Sequence, residues 1–296
     1  MEHLTVEIDG RALDAIVSGP EMGLPLVFHH GTPMSNVQFT PFVDAAAERG
    51  LRTITYSRPG YGASTRHEGR NVADAASDTA AILDALGSDR CVSLGWSGGG
   101  PHALACAALL PDRVAACATI ASVGPLDVED LDFLAGMGEA NVEEFGYVIA
   151  GDDDASIRFL QAYVEETRDA TPEGVIESLR SLLPPIDVEA IRDDLGWFFV
   201  ESDEEAFRNG IWGWLDDDKA FASPWGFDLV AIQVPVTIWQ GEQDLMVPIA
   251  HGRWLTSRIP GARAELSAED GHISLAVGRF GDILDGLVAQ AAPLRE

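Results

Sequence analysis

The chain has 296 residues, 46 % of them hydrophobic and 23 % charged, with 48 acidic against 19 basic side chains and a formal net charge of −29. Such a chain is apolar enough to bury one large core or two small ones, which argues against disorder. With so few cations, only one of them a lysine (Lys219), nucleic acid is all but excluded as a partner, because phosphate binding needs positive surface. No apolar run approaches the roughly eighteen residues of a membrane span.

The first residues, "MEHLTVEIDGRALDAIVSG", alternate like strands and lack a basic leader followed by an apolar stretch, so a cytoplasmic protein is expected. Around Gly10, "LTVEI" and "LDAIVS" read as a strand pair. "LPLVFHH" is a continuous apolar run of the kind found in a central parallel strand. "NVQFTPFVDAAAERG" reads as a helix ended by Gly50, and "LRTITYS" as the next strand. "NVADAASDTAAILDALG" has apolar residues at helical spacing with Gly87 following as a cap. "CVSLG" is then a strand, residues 99 to 110 a helix and "VAACATIAS" a strand. This βαβαβ order predicts a mostly parallel sheet flanked by helices.

From Val123 to Asp228 the pattern is helical, without a convincing strand pair. Alternation then resumes with "VPVTIWQG", "PIAHGRWLTSRI", "ARAELS" and "ISLAVGRFGDILDGLVAQAA" as strand, helix, strand and closing helix. The predicted division is an α/β core of residues 1–122 and 229–296 with a helical insertion at 123–228. The insertion holds 27 acidic and six basic side chains. It also holds 14 of the 23 aromatics, including Trp197, Trp212, Trp214 and Trp225. Amphipathic helices can carry both properties, so the insertion is expected to close over an apolar pocket while facing solvent outside. Acidity on this scale favours solubility and suggests adaptation to high salt.

The chemistry centres on Gly95-Trp96-Ser97-Gly98-Gly99, a G-x-S-x-G sequence between a strand and a helix. A turn that sharp strains the serine backbone, lifts its hydroxyl above the strand end and leaves no room for side chains two residues away. A hydroxyl needs a base to become a nucleophile. His272 in "AEDGHISL" and Asp244 in "WQGEQDLMVP" both follow predicted strands, so all three groups should reach one sheet edge in the order Ser, Asp, His. Asp127 is an alternative acid, and Asp270 reads as a turn residue. The oxyanion would take N–H donors from Gly98 and, in the loop His30-Gly31-Thr32-Pro33, from Thr32, since Pro33 has none. Trp96, Pro33 and Met34 are candidate pocket residues. His29, His30 and His102 read as structural, and His3, His67 and His251 as surface residues. Cys91, Cys106 and Cys117 read as buried thiols, no Cys/His spacing suits zinc, and no metal or cofactor is expected.

Together "HHGTP", "SRPGYGAS", "GWSGGG", "WQGEQDLMVP" and "DGHISL" resemble the α/β-hydrolase superfamily, most nearly its capped members such as esterases and proline iminopeptidases. The resemblance covers the core and implies Ser97, Asp244 and His272 as a triad with Thr32 and Gly98 as oxyanion hole. Ser97 stands where epoxide hydrolases and haloalkane dehalogenases of this fold carry aspartate, which disfavours both activities. The proline iminopeptidase loop H-G-G-P-G is replaced by His30-Gly31-Thr32-Pro33-Met34, and Trp96 precedes the serine instead of following it. The leading expectation is an esterase acting on small apolar or aromatic substrates. An aminopeptidase of the proline iminopeptidase type and a ligand-binding receptor on a hydrolase scaffold are the alternatives. Oligomeric state is not legible.

Overall fold

The computed structural model describes residues 1–292. β1 (Glu2–Ile8) and β2 (Arg11–Ser18) form an antiparallel pair, turning through Asp9 and Gly10 at positive φ. Then follow β3 (Leu24–His29), α1 (Thr40–Glu48), β4 (Leu51–Tyr56), α2 (Asp74–Ala85), β5 (Cys91–Trp96), α3 (Gly99–Leu109) and β6 (Val114–Ile120). Six helices come next: α4 (Glu139–Ala150), α5 (Asp153–Glu166), α6 (Pro172–Ser178), α7 (Pro185–Ala190), α8 (Asp193–Ala206) and α9 (Trp212–Phe221). The chain closes with β7 (Val236–Gly241), α10 (Ile249–Arg258), β8 (Arg263–Ser267) and α11 (Ile273–Ala291).

All eight strands join one sheet in the order β1-β2-β4-β3-β5-β6-β7-β8. β2 meets β4 antiparallel, and every later neighbour pair is parallel. The central strands are largely apolar because both faces are covered. Leu26 and Phe28 point into the cluster that contains α11 residues Leu284 and Leu287, whereas Val27 points into the one that contains Leu83 of α2 and Leu104 of α3. That is the two-residue period of a strand packed on both sides.

Two sequence expectations are corrected. The helix expected from Asn36 begins only at Thr40, with Pro41 in its first turn. Proline suits a helix start, and the segment before it is tied to the sheet instead: Thr55 Oγ1 donates to Asn36 O, and Asn36 Nδ2 donates to Asp14. His251, expected at the surface, is fully buried on α10. Its Nδ1 accepts the Gly124 N–H at 3.0 Å, so Nε2 carries the proton and donates to Phe133 O at 2.9 Å. Burial lowers its pKa to about 4, and the neutral ring pins the start of the 123–228 segment against the core.

Candidate active site

The topology explains how distant segments meet. Because β3, β5, β6, β7 and β8 run parallel, their carboxyl ends share one edge, and the register pairs His29 with Gly95, Trp96 with Ile120, Ile120 with Trp239 and Gly241 with Ser267. The loops holding Thr32, Ser97, Asp244 and His272 each leave one of these ends.

Ser97 is a non-glycine residue at φ 55°, the left-handed region that side chains rarely occupy. Its N–H donates to Ile120 O and its carbonyl accepts from Gly100 N, so the strained turn is anchored to β6 and to α3. The glycines around it answer to different neighbours. A Cβ on Gly95 would collide with the Gly99 carbonyl across the turn. One on Gly99 would collide with the His29 carbonyl at the end of β3, and one on Gly98 with the Thr32 side chain. Gly98 and Gly99 therefore let the loop after β3 lie directly against the serine turn.

His272 is buried, and its Nδ1 stands 2.8 Å from Asp244 Oδ2. Asp244 accepts further hydrogen bonds from the N–H groups of Met246 and Val247 and from Gln240 Nε2. Burial works against a charged imidazole, but the carboxylate beside it prevails and the His272 pKa lies above its usual value. Trp96 stacks near the ring, with centroids 6.1 Å apart. Asp127 is exposed, and Asp270 accepts from Ser267 Oγ and Arg279 Nε, as a turn residue would.

A further carboxylate holds the histidine loop. Asp187 of α7, fully buried, accepts from His272 N at 2.7 Å, Ser274 N at 2.8 Å and Ser274 Oγ at 2.6 Å. It caps the start of α11 from the inserted segment.

The loop after β3 is held by a buried ionic knot. Arg58 donates to the carbonyls of His30 and Gly31 at 2.5 and 2.9 Å and to Thr32 Oγ1 at 2.9 Å. The same guanidinium meets Asp217 of α9 at 2.6 Å. Asp217 also receives Thr32 Oγ1 at 2.7 Å, Tyr61 OH at 2.9 Å and Arg70 at 2.7 Å. Burial alone would raise this carboxyl, but the two guanidinium groups hold it well below the usual carboxylate range. His30 accepts the Arg58 N–H through Nε2 and donates through Nδ1 to Gly31 O; burial keeps it neutral, as it does His29 and His102. The Thr32–Pro33 peptide is cis.

Ser97, Gly98, His272, Thr32, Pro33, Met34 and Trp96 all line one cavity, which encloses about 1110 Å³ including its open mouth. Phe145, Phe159, Phe199, Trp214 and Phe221 form much of the opposite wall. Of the four tryptophans noted in the insertion, only Trp214 lines this space. Trp197 is 54 % exposed, Trp212 lies under Arg66, and Trp225 packs in the core. Glu144, Asp203 and Asp218 also line it.

Sequence reasoning missed Arg58 (quoted only within a motif), Asp187, Asp217 and the three cavity acids. Asp187 carries no local signal. The run Asp216-Asp217-Asp218 does, because Leu215 before it and Ala220-Phe221 after it make a buried helix plausible. Among the described residues, no helix is long and apolar enough to cross a membrane, and no three His, Cys, Asp or Glu side chains are set to hold a metal ion.

A family profile for the alpha/beta hydrolase fold matches residues 25–278. The chain is 28 % identical over 274 residues to the hydrolase YcgS of Bacillus subtilis (strain 168), covering 91 % of each. It is 26 % identical over 238 residues to a non-heme chloroperoxidase of Burkholderia pyrrocinia, covering 78 % of each. The solved bromoperoxidase of Bacillus anthracis superposes with a TM-score of 0.72 at 22 % identity, over 98 % of this chain and 99 % of that one. The esterase RhEst1 of Rhodococcus sp. ECU1013 gives 0.67 at 22 % identity, over 99 % and 100 %.

Proposed function

The chain belongs to the α/β-hydrolase fold family and is an enzyme of that class, and on that premise we propose that it is a serine hydrolase cleaving carboxylic esters of small apolar or aromatic substrates. Ser97 Oγ attacks the ester carbonyl while His272 Nε2 takes its proton, and Asp244 steadies the imidazolium through Nδ1–H. The oxyanion receives the N–H groups of Gly98 and Thr32. Collapse breaks the bond to the alcohol, which leaves with the proton from His272, and a water activated by the same ring then releases the acid and restores Ser97.

The observation that carries this reading is His272, paired with Asp244 behind it, lining one largely apolar cavity with a serine in a strained turn. The residue types, their order and the strand-end placement support the remaining roles. Residues 123–228 act as the cap in this proposal, supplying the aromatic wall. The test is a panel of p-nitrophenyl esters and proline p-nitroanilide, with fluorophosphonate labelling, on wild type and Ser97→Ala. Ester turnover and labelling that disappear in the variant are expected. Saturable ligand binding without turnover would replace the enzyme reading by a receptor, and preference for the anilide would make it a peptidase.

The relatives named haloperoxidases favour a second acceptor. Hydrogen peroxide attacking the same acyl-Ser97 ester would give a peracid and free Ser97, with one peroxide proton passing to His272. Peracid formation with ester and peroxide, lost in Ser97→Ala, tests it.

A further inference from the structure

Asp216, Asp217 and Asp218 are consecutive on α9, so their side chains leave the helix about 100° apart. All three are buried, and each meets a different environment. Asp216 pairs with Arg66 through two contacts of 2.8 Å, and Asp217 with Arg58 and Arg70. Asp218 has no cation. It is 1 % exposed, it lines the cavity that holds Ser97, and neither of its carboxyl oxygens has a hydrogen-bond donor.

Glu144 of α4 lies beside it on the cavity wall, 9 % exposed; it receives the Trp214 indole N–H at 2.6 Å and shares a hydrogen bond with Asp218 when the pair holds a proton. Asp203 of α8 completes the group, receiving Tyr163 OH at 3.1 Å. Three carboxyl groups thus border an apolar cavity with two neutral donors between them. A buried charge left unpaired is costly, so such a cluster persists only where something compensates it.

Resting on the hydrolase reading above, we propose that Asp218 and Glu144, flanked by Asp203, form a subsite for a protonated amine carried by the substrate. A primary ammonium offers three N–H donors to oxygens that have too few, and its alkyl stem suits the aromatic wall. A metal ion is a poorer occupant, since no three of these ligand types are arranged for one among the described residues. Without the amine the pair holds a proton instead. Burial and the charge of Glu144 push Asp218 well above the carboxylate range, while burial lifts Glu144 to about 7. The cation takes the place of that proton.

The experiment compares ω-aminoacyl p-nitrophenyl esters with their methyl-terminated and carboxylate-terminated counterparts of equal length. In wild type the amine is expected to exceed the neutral ester in kcat/KM by about tenfold or more at the best chain length, with the carboxylate poorest. In Asp218→Asn and Glu144→Gln that ratio falls toward one. A ratio at or below one in wild type, with neutral esters still hydrolysed at Ser97, overturns the subsite and leaves the hydrolase reading intact. If no ester is turned over and Ser97 is not labelled, the hydrolase reading fails. Calorimetry with hexylammonium and hexanol on Ser97→Ala then decides the subsite alone: selective binding of the cation supports it, and equal or absent binding overturns it. That measurement also stands if the carboxyl variants do not fold.

Discussion

Asp217→Asn isolates the knot between the Thr32 loop and α9. The substitution conserves volume but leaves Arg58 and Arg70 facing an amide, one end of which donates toward donors. Both guanidinium groups and the carboxylate are at most 2 % exposed, so water cannot take over. Removing one partner of a buried pair costs about 3–5 kcal/mol, a large part of the roughly 5–15 kcal/mol that keeps a protein folded. With a urea dependence of about 2–3 kcal/mol per molar, the midpoint should fall by about 1–2 M. Turnover should also fall, since Arg58 and Thr32 hold the loop proposed to supply an oxyanion donor, and losing one such donor costs about 10²–10³. A pH series adds a signature. A carboxyl held below its usual value contributes fully above the unfolded pKa near 3.9 and loses that contribution as pH falls toward its folded pKa. The gap between wild type and Asp217→Asn should therefore narrow in acid. An unchanged midpoint with unchanged kcat would refute the assignment of this knot as a support of the site.

Other outcomes follow from the same geometry. Because Asp244 raises the His272 pKa, the acid limb of kcat/KM should have its midpoint above about 6.5; Asp244→Asn should move it downward and cut kcat by about 10⁴, the loss known for the serine-protease triad. Asp187→Ala removes three hydrogen bonds at the histidine loop and should lower kcat more than it changes KM, measured by steady-state kinetics; equal loss in both would argue against a positioning role. For Glu144, a raised carboxyl pKa makes stability greatest below the unfolded value near 4.3 and smaller as pH rises through about 7. Glu144→Gln with Asp218→Asn should then be more thermostable than wild type near pH 8 by about 1–3 kcal/mol, with the difference shrinking toward pH 4, as calorimetry would show.

The core could be read from the sequence because its signals are local: largely apolar runs for strands covered on both faces, and glycines where β5 turns into α3. Parallel strands also force their following loops to one edge, so Ser97, Asp244 and His272 could be expected together without coordinates. The supports could not be read this way. In a segment with 27 acidic side chains, a carboxylate is ordinarily a solvated group, and nothing nearby distinguishes Asp187 from Glu189. What buries Asp217 is Arg58 and Arg70, some 150 positions earlier in the chain. His251 failed for the same reason, since its partners Gly124 and Phe133 lie at the start of the insertion, more than 110 positions earlier in the chain.

The helices between β6 and β7 are fastened to three of the loops at the carboxyl edge of the sheet. Asp187 grips the histidine turn, Asp217 grips the strand-β3 loop, and Asn141 Nδ2 and Gly138 N grip the carbonyls of Met246 and Leu245 beside Asp244. A roof tied to its pillars in this way cannot be lifted whole without tilting them. Deleting it should leave a sheet with the groups of the proposed triad out of alignment, not a simpler enzyme with a wider mouth.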